Sequence, residues 1–465
     1  MQSRDRSAIL GSTPMTRLVP KVSIPIMFSM MIQALYNMVD SIFVSRFDPN
    51  GLTAVSLAAP FQMLMIALST GMGTGINSLL SRRLGERNPQ GARRAAWNGL
   101  VIEVCGSVLF ILVGLLLSGV IMRSVVSDSL ANAGSILNMG TDYLRIVTML
   151  STGLFLAIFF ERMLQATGNS MLSMVAQLCG ALTNIALDPV MIFGLLGFPR
   201  MGIAGAAVAT VIGQFVSAII GFILNQAKNP ELRLDRSGFA INKKDMSGII
   251  AVGLPSTIMA SIMSVMTIGM NFILSGFEQS NAALNVMSVY FKLQSFIFMP
   301  VFGLSNGIIA IIAYNYGAHS RERVYKCIKV ALCWACSIML VGMLIFMILP
   351  DQLMAIFSSE AEAEITAQMT DIGVVAMRII SSSFLFAAVG ITLSTVFQAV
   401  GRGSYSMIIS ILRQLLILLP AAWILARLTG DVKAVWWCFP IAEIAALVFC
   451  LLYYRKCDRE MISRL

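Results

Sequence analysis

Gln33, Tyr36, Asn37 and Asp40 fall at i, i+3, i+4 and i+7 inside the first long apolar stretch of the chain. On a helix this spacing gathers them on one face. A carboxylate so far inside a membrane span costs about 3 kcal/mol against lipid, so Asp40 must face protein or a water-filled cavity. Asn184 and Asp188, at i and i+4, make a second polar face far along the chain. Pro189 follows directly. Having no N–H, it leaves a helix carbonyl without its usual donor, which suits cation binding. Two such carboxylates in one bundle are the parts of an ion-coupled pump, and a pair in one closed cavity titrates as a coupled unit. Its charge state would change when the cavity opens to water or meets a cationic compound. Asp40, Asn184 and Asp188 are also candidate ligands for a cation.

Other charged residues within the apolar stretches carry weaker signals. Glu161 is expected either to face a cavity or to pair with a distant base, because Arg162 lies about 100° around the helix from it. Glu103, about two turns into its span, is expected to snorkel or pair. Arg413 and Glu443, in the last two spans, read as ion-pair partners that hold helices together. Lys292 and Arg378 are single cations of the second half, suited to gating or packing. The 32 methionines read mostly as apolar filler, although some could line a cavity that accepts differently shaped compounds.

The elements that would position these groups follow from composition. Of 465 residues, 57% are hydrophobic and 12% charged, and the mean hydropathy is +0.82. Soluble domains carry about 25% charged residues, so this is an all-α polytopic membrane protein. At about 20 apolar residues per span, twelve membrane helices are expected. They lie near 22–47, 53–81, 95–122, 138–165, 171–197, 202–225, 247–275, 282–313, 327–349, 366–398, 405–428 and 433–454. The first is too long for a signal-peptide core and reads as a retained helix.

Basic residues set the orientation. With a cytoplasmic amino terminus, inside segments hold 23 of the 33 Lys and Arg, while outside segments hold 5: Arg46, Arg123, Arg200, Arg427 and Lys433. Both termini are therefore expected in the cytoplasm. The net charge of +10 belongs to these loops and calls for no nucleic-acid partner. The eight cysteines are scattered, with one CxxC at Cys333 and Cys336, and the single histidine, His319, lies in a loop. Neither a disulfide framework nor a metal centre is expected.

The longest polar connection splits the chain into 1–225, a linker at 226–246, a second half at 247–454 and a tail at 455–465. The halves repeat. Ile24-Pro25 matches Leu254-Pro255 at an offset of 230. Gly71 and Gly75 match Gly303 and Gly307 at 232, and Gln165 through Gly168 matches Gln398 through Gly401 at 233. A duplicated unit of six helices enters the membrane with the same orientation twice, which relates the copies by an axis along the membrane normal. The repeated GxxxG spacings would allow close helix packing. The acids are not repeated: Asp40 is matched by Met270, Glu161 by Ser394, Asn184 by Ile417 and Asp188 by Ala421. A scaffold requirement would appear in both copies, so the asymmetry favours function.

Energy source and chemistry are constrained by what is missing. The sequence has no GxxxxGK[ST] phosphate loop, no HExxH and no GxSxG element. The glycines at 71, 73 and 75 lie within a span and not after a strand. An enzyme is not expected, and no cofactor beyond a coupling H⁺ or Na⁺.

Tyr36-Asn37-Met38-Val39-Asp40, Leu84-Gly85, Gln165-Ala166-Thr167-Gly168 and Asn184 through Pro189 together resemble the multidrug and toxic compound extrusion (MATE) family. The resemblance is greatest to a bacterial branch that includes the staphylococcal multidrug exporter. It covers nearly the whole chain and implies two six-helix lobes forming a V around a central cavity. It implies export of cationic or amphipathic organic compounds in exchange for H⁺ or Na⁺, from a multi-pass monomer of the bacterial plasma membrane, in contact with lipid. The coupling site of relatives matches Asp40 and Asp188 with Asn184 and Tyr36 beside them, and a sixth-helix Thr matches Thr210. Gln33, Asn37 and Glu161 are expected in the substrate cavity, Glu161 where some relatives carry Asn. The acids that another branch carries on its seventh and tenth helices are absent here. Two alternatives stand beside this reading: a flippase for a lipid-linked precursor, and a transport-inactive receptor or assembly factor.

Overall fold

The computed structural model describes residues 7–127, 132–235, 239–356 and 363–465, and the side chains of Pro49 and of 363–366 lie outside that description. Among the described residues there are helices and no strands. Backbone groups in lipid must be satisfied within their own segment, and helices do this.

The first half opens with a short helix α1 (Ala8–Ser12), then α2 (Met15–Phe47), α3 (Pro49–Gly85), α4 (Pro89–Leu116) and the short α5 (Ser118–Val125). It continues with α6 (Ala133–Met149), α7 (Thr152–Ala166), α8 (Ser170–Phe193) and α9 (Ile203–Lys228). The second half repeats the plan. It contains α10 (Lys243–Leu274), α11 (Ser280–Gly317), α12 (Arg321–Ile348), the short α13 (Pro350–Ala355), α14 (Ala363–Ser381) and α15 (Phe384–Ala399). Its next span, α16 (Gly403–Ile411) and α17 (Leu419–Thr429), is joined by a π-helical turn at Leu412–Leu418. The short α18 (Val432–Val435) and α19 (Cys438–Cys457) close the chain.

Ten helices are long and apolar enough to cross a membrane, and two bent pairs bring the number to 12. The bent pairs correct the expectation of continuous fourth and tenth spans: α6 and α7 meet at 45°, α14 and α15 at 49°. Both breaks fall on hydroxyl residues. Ser151 Oγ donates to the Ser107 carbonyl at 3.3 Å, and Ser382 and Ser383 bond back to the carbonyls of Ile379 and Ile380 at 2.6 and 2.7 Å. The two serine back-bonds compete with the helix ladder at the α14–α15 break and bend it, whereas Ser151 ties the α6–α7 break to α4. The ends of the polar connection are helical, since α9 runs on to Lys228 and α10 starts at Lys243. Between them Asn98 holds the chain to α4, donating to the Ala240 carbonyl at 2.9 Å and accepting from the Asn242 N–H at 2.9 Å.

The glycine spacings serve the contact between lobes. Gly71 and Gly75 of α3 lie against Thr257, Gly253 and the Ile249 carbonyl of α10. Gly303 and Gly307 of α11 lie against Met27 and Ser23 of α2. Each lobe therefore presents its second helix to the first helix of the other. Polar contacts strengthen the same end. Ser78 Oγ donates to the Gln398 carbonyl at 2.9 Å, and the fully buried Asp245 pairs with Arg83 at 3.1 Å and Arg94 at 2.7 Å. Helix α1 lies across this seam, with the Leu10 carbonyl accepting from Asn315 and Arg323, each at 3.0 Å. In the second lobe Arg413, lifted by the π-helical turn, pairs with Glu443 at 3.2 Å, as its sequence position suggested. All eight cysteines are free.

A Cβ at Gly75 would strike the Ile249 carbonyl. Gly75→Leu is therefore expected to lose about 1–3 kcal/mol through overpacking. Thermal unfolding of the purified protein in detergent reads this as a lower midpoint; an unchanged midpoint would contradict the close seam.

Candidate functional site

Three helices of the first lobe build the site. Helix α2 carries Gln33, Tyr36 and Asp40, α8 carries Gln177, Asn184 and Asp188, and α9 carries Thr210 and Gln214. Helices α8 and α9 cross at glycines, and a Cβ on Gly180 or Gly213 would meet the carbonyl of the other at 2.6–2.7 Å. This approach brings Asn184 Nδ2 to 3.4 Å from Thr210 Oγ1. The same amide donates to Asp188 Oδ1 at 3.2 Å. Asp188 is fully buried and Asn184 nearly so.

Tyr36 hydrogen-bonds Gln33 and senses the charges of both Asp40 and Asp188. The two carboxylates are themselves close enough to interact electrostatically. Gln33, Tyr36, Glu161, Asn184 and Thr210 line one cavity, and the two aspartates stand just beyond its lining. Asn37 is placed elsewhere: it is exposed and absent from the cavity wall. It sits about 100° around α2 from Tyr36, at the edge of the polar stripe, so the turn that points Tyr36 inward points Asn37 away.

Several buried oxygens of these helices have no donor. Asp40 Oδ1, Asp188 Oδ2, Asn184 Oδ1, Gln177 Oε1 and Gln214 Oε1 are all buried and accept no hydrogen bond among the described residues. Neither aspartate has a Lys or Arg within ion-pair distance among them. Burying acceptors without donors is costly. A proton or a hard cation supplies what such a set lacks, since hard cations take oxygen ligands.

Several members escaped the sequence reading. Gln177 donates to Gln33 Oε1 at 3.4 Å. It lies at i−7 from Asn184, so extending the α8 stripe backwards would have found it. Gln214 follows Thr210 at i+4 and was equally accessible. Tyr143 of α6 donates to Gln62 at 3.1 Å and senses Asp40, Tyr36 and Asp188; no pattern in the sequence singles it out. At the other end of the cavity Glu161 is bridged to Arg162. Gln165 donates to Glu161 at 2.7 Å and accepts from Arg162 at 2.8 Å. An intervening amide thus links two groups that the helix geometry turns apart. Glu103 neither snorkels nor forms an ion pair; it is fully buried and accepts from Ser69 Oγ at 3.0 Å.

The family profile described as MatE matches the chain twice, over residues 25–190 and 255–424. The chain belongs to the MatE family. The two matches fall one in each six-helix half, as a duplicated MatE unit requires. The multidrug export protein MepA of Staphylococcus saprophyticus is 24% identical over 447 residues, covering 95% of this chain and 94% of that protein. MepA of Staphylococcus aureus strain MSSA476 is 24% identical over 453 residues, with 97% and 96% covered. Among solved structures, a MATE protein in complex with MaL6 superposes with a TM-score of 0.89 at 25% identity, covering 99% of each chain. A multidrug resistance MATE transporter in an outward-facing conformation gives 0.89 at 24% identity and 100% coverage of both. MatE proteins of this kind are two-lobed membrane transporters and not enzymes.

Asn184→Ala removes the only amide that reaches Asp188 Oδ1 among the hydrogen bonds described here. A loss of about 1–3 kcal/mol is expected from the unpaired buried oxygen. The thermal midpoint of the purified variant should fall, and a midpoint equal to wild type would refute the bond.

Proposed function

We propose that this MatE protein is a secondary active exporter of cationic or amphipathic organic compounds, driven by H⁺ or Na⁺ through Asp40 and Asp188. The observation that carries this reading is that Asp40 Oδ1, Asp188 Oδ2 and Asn184 Oδ1 are buried and have no donor among the described residues. MepA relatives are named as multidrug exporters, which supports the substrate class. The coupling ion binds at Asp40, Asp188 and Asn184, with Thr210 and Tyr36 beside them. Substrate and ion compete because a cationic compound near the carboxylates and an ion bound to them satisfy the same negative charge. The ion is cargo, released on the opposite side after each cycle. Differential binding of ion and substrate to the two lobe arrangements drives alternating access. A lipid-linked flippase is less well supported, since the site has two aspartates and Glu161 against the single Arg162.

The test is dye efflux from reconstituted vesicles under an imposed pH gradient, with and without Na⁺. Wild type should export ethidium, and Asp40→Asn should fall to background while reaching the membrane in normal amount. Normal efflux by the variant would remove Asp40 from the coupling role. Efflux that requires Na⁺ would identify the ion.

The basic loops orient both termini to the cytoplasm. In a background without native cysteines, Leu196→Cys, at an 88% exposed position, should react with an impermeant maleimide in intact cells. Glu86→Cys should react only after permeabilisation. The opposite pattern would reverse the topology.

A further inference from the structure

Glu103 takes no part in the coupling site. It lies on α4, wholly inaccessible, with one oxygen on Ser69 Oγ and the other, Oε1, without a partner. Arg162 of α7 lies one turn of α3 away: Ser69 holds Glu103, and Gly73, four residues on, faces Arg162, with no ion-pair contact between the two among the described residues. Arg162 is itself buried. Its Nη1 is bound to Gln165, and its Nε has no partner. Space for the guanidinium comes from α3, where a Cβ on Gly73 would meet Arg162 Cγ at 3.0 Å. Through Gln165 the same Arg reaches Glu161 on the cavity wall. Two carboxylates thus flank one guanidinium, and none of the three forms an ion pair within 4.0 Å among the described residues.

The charge count is uneven. A guanidinium does not lose its proton in a protein, so it offsets one carboxylate only. Among the described residues, α3 presents Ser69 and Gly73, and α8 presents Ser173, which accepts from Gln165 at 3.1 Å. Of the other packed helices, α9 carries no charge before Lys228, and Asp142 and Arg145 of α6 are exposed. An uncompensated buried charge costs several kcal/mol. One proton removes it.

We infer that Glu103 and Glu161, linked by Arg162, form a second proton-binding centre of the first lobe that shares a single proton between two carboxylates. The centre is distinct from the aspartates. Ser173 and Asp188 lie on the same helix, about 20 Å apart along its axis at 1.5 Å per residue. Gln165 and Ser173 lie beside the α7–α8 turn, at the end of the lobe that carries the seam. If the coupling reading holds, a proton released from Asp40 and Asp188 meets this centre on its way to the cytoplasm, with Glu161 as its cavity-facing member. The site then has a relay between the outer acids and the inner surface.

The test is pH-difference infrared spectroscopy of the purified full chain in liposomes. It starts from an Asp40→Asn/Asp188→Asn background, which removes the first centre. The expected spectrum keeps a C=O stretch of a buried protonated carboxyl. Adding either Glu103→Gln or Glu161→Gln abolishes it, because one guanidinium then balances the one remaining carboxylate. Absence of the band from the background protein overturns the inference, as does its survival in either added variant. Should Glu103→Gln not fold, Glu161→Gln on the cavity wall carries the same test alone. Failure of the coupling reading would show in the efflux assay and leave this band unchanged.

Discussion

A carboxylate in the hydrocarbon of a membrane is tolerated only when protein or water surrounds it, and this constraint shapes the first lobe. Asp40, Glu103, Glu161 and Asp188 lie on four different membrane helices of that lobe, or on one segment of a bent pair. None can turn outward, so α2, α4, α7 and α8 must close around a shared interior. The glycine contact between α8 and α9 is part of the same solution. It lets Thr210 and Asn184 reach the acids, which a bulkier pair of helices would hold apart.

The second lobe meets the constraint differently. Its equivalents of Asp40, Glu161, Asn184 and Asp188 are Met270, Ser394, Ile417 and Ala421, and its one deep acid on the last helix is matched internally by Arg413. A fixed guanidinium balances the acid there, whereas Asp40 and Asp188 have no Lys or Arg within ion-pair distance among the described residues. The duplication thus supplied two similar frames, one of which carries open oxygens while the other is electrostatically closed.

The two frames meet at the seam. The crossings at Gly71, Gly75, Gly303 and Gly307 bring backbones into contact with few side chains between them, and such interfaces associate through van der Waals packing and hydrogen bonds, not through hydrophobic burial. Asp245, held by two arginines, and α1, held by Asn315 and Arg323, add polar contacts at the same end. The buried oxygens of Asp40, Asn184 and Asp188 lie away from the seam and have no donor among the described residues.

The membrane class, the number of spans, the duplication and the principal acids were legible in the sequence. Each follows from local composition, from a periodicity of 3.6 residues or from matches at a constant offset along the chain, and none needs knowledge of which helices touch. The stripe on α2 predicted Gln33, Tyr36 and Asp40 together. It also placed Asn37 there, because a sequence shows the width of a polar face but not which edge meets the neighbour. The broken fourth and tenth spans, the approach of Tyr143 to the aspartates, the amide bridge from Glu161 to Arg162 and the burial of Glu103 were decided by tertiary structure alone. All four depend on distances between segments far apart in the chain, and only the packed bundle fixes those distances.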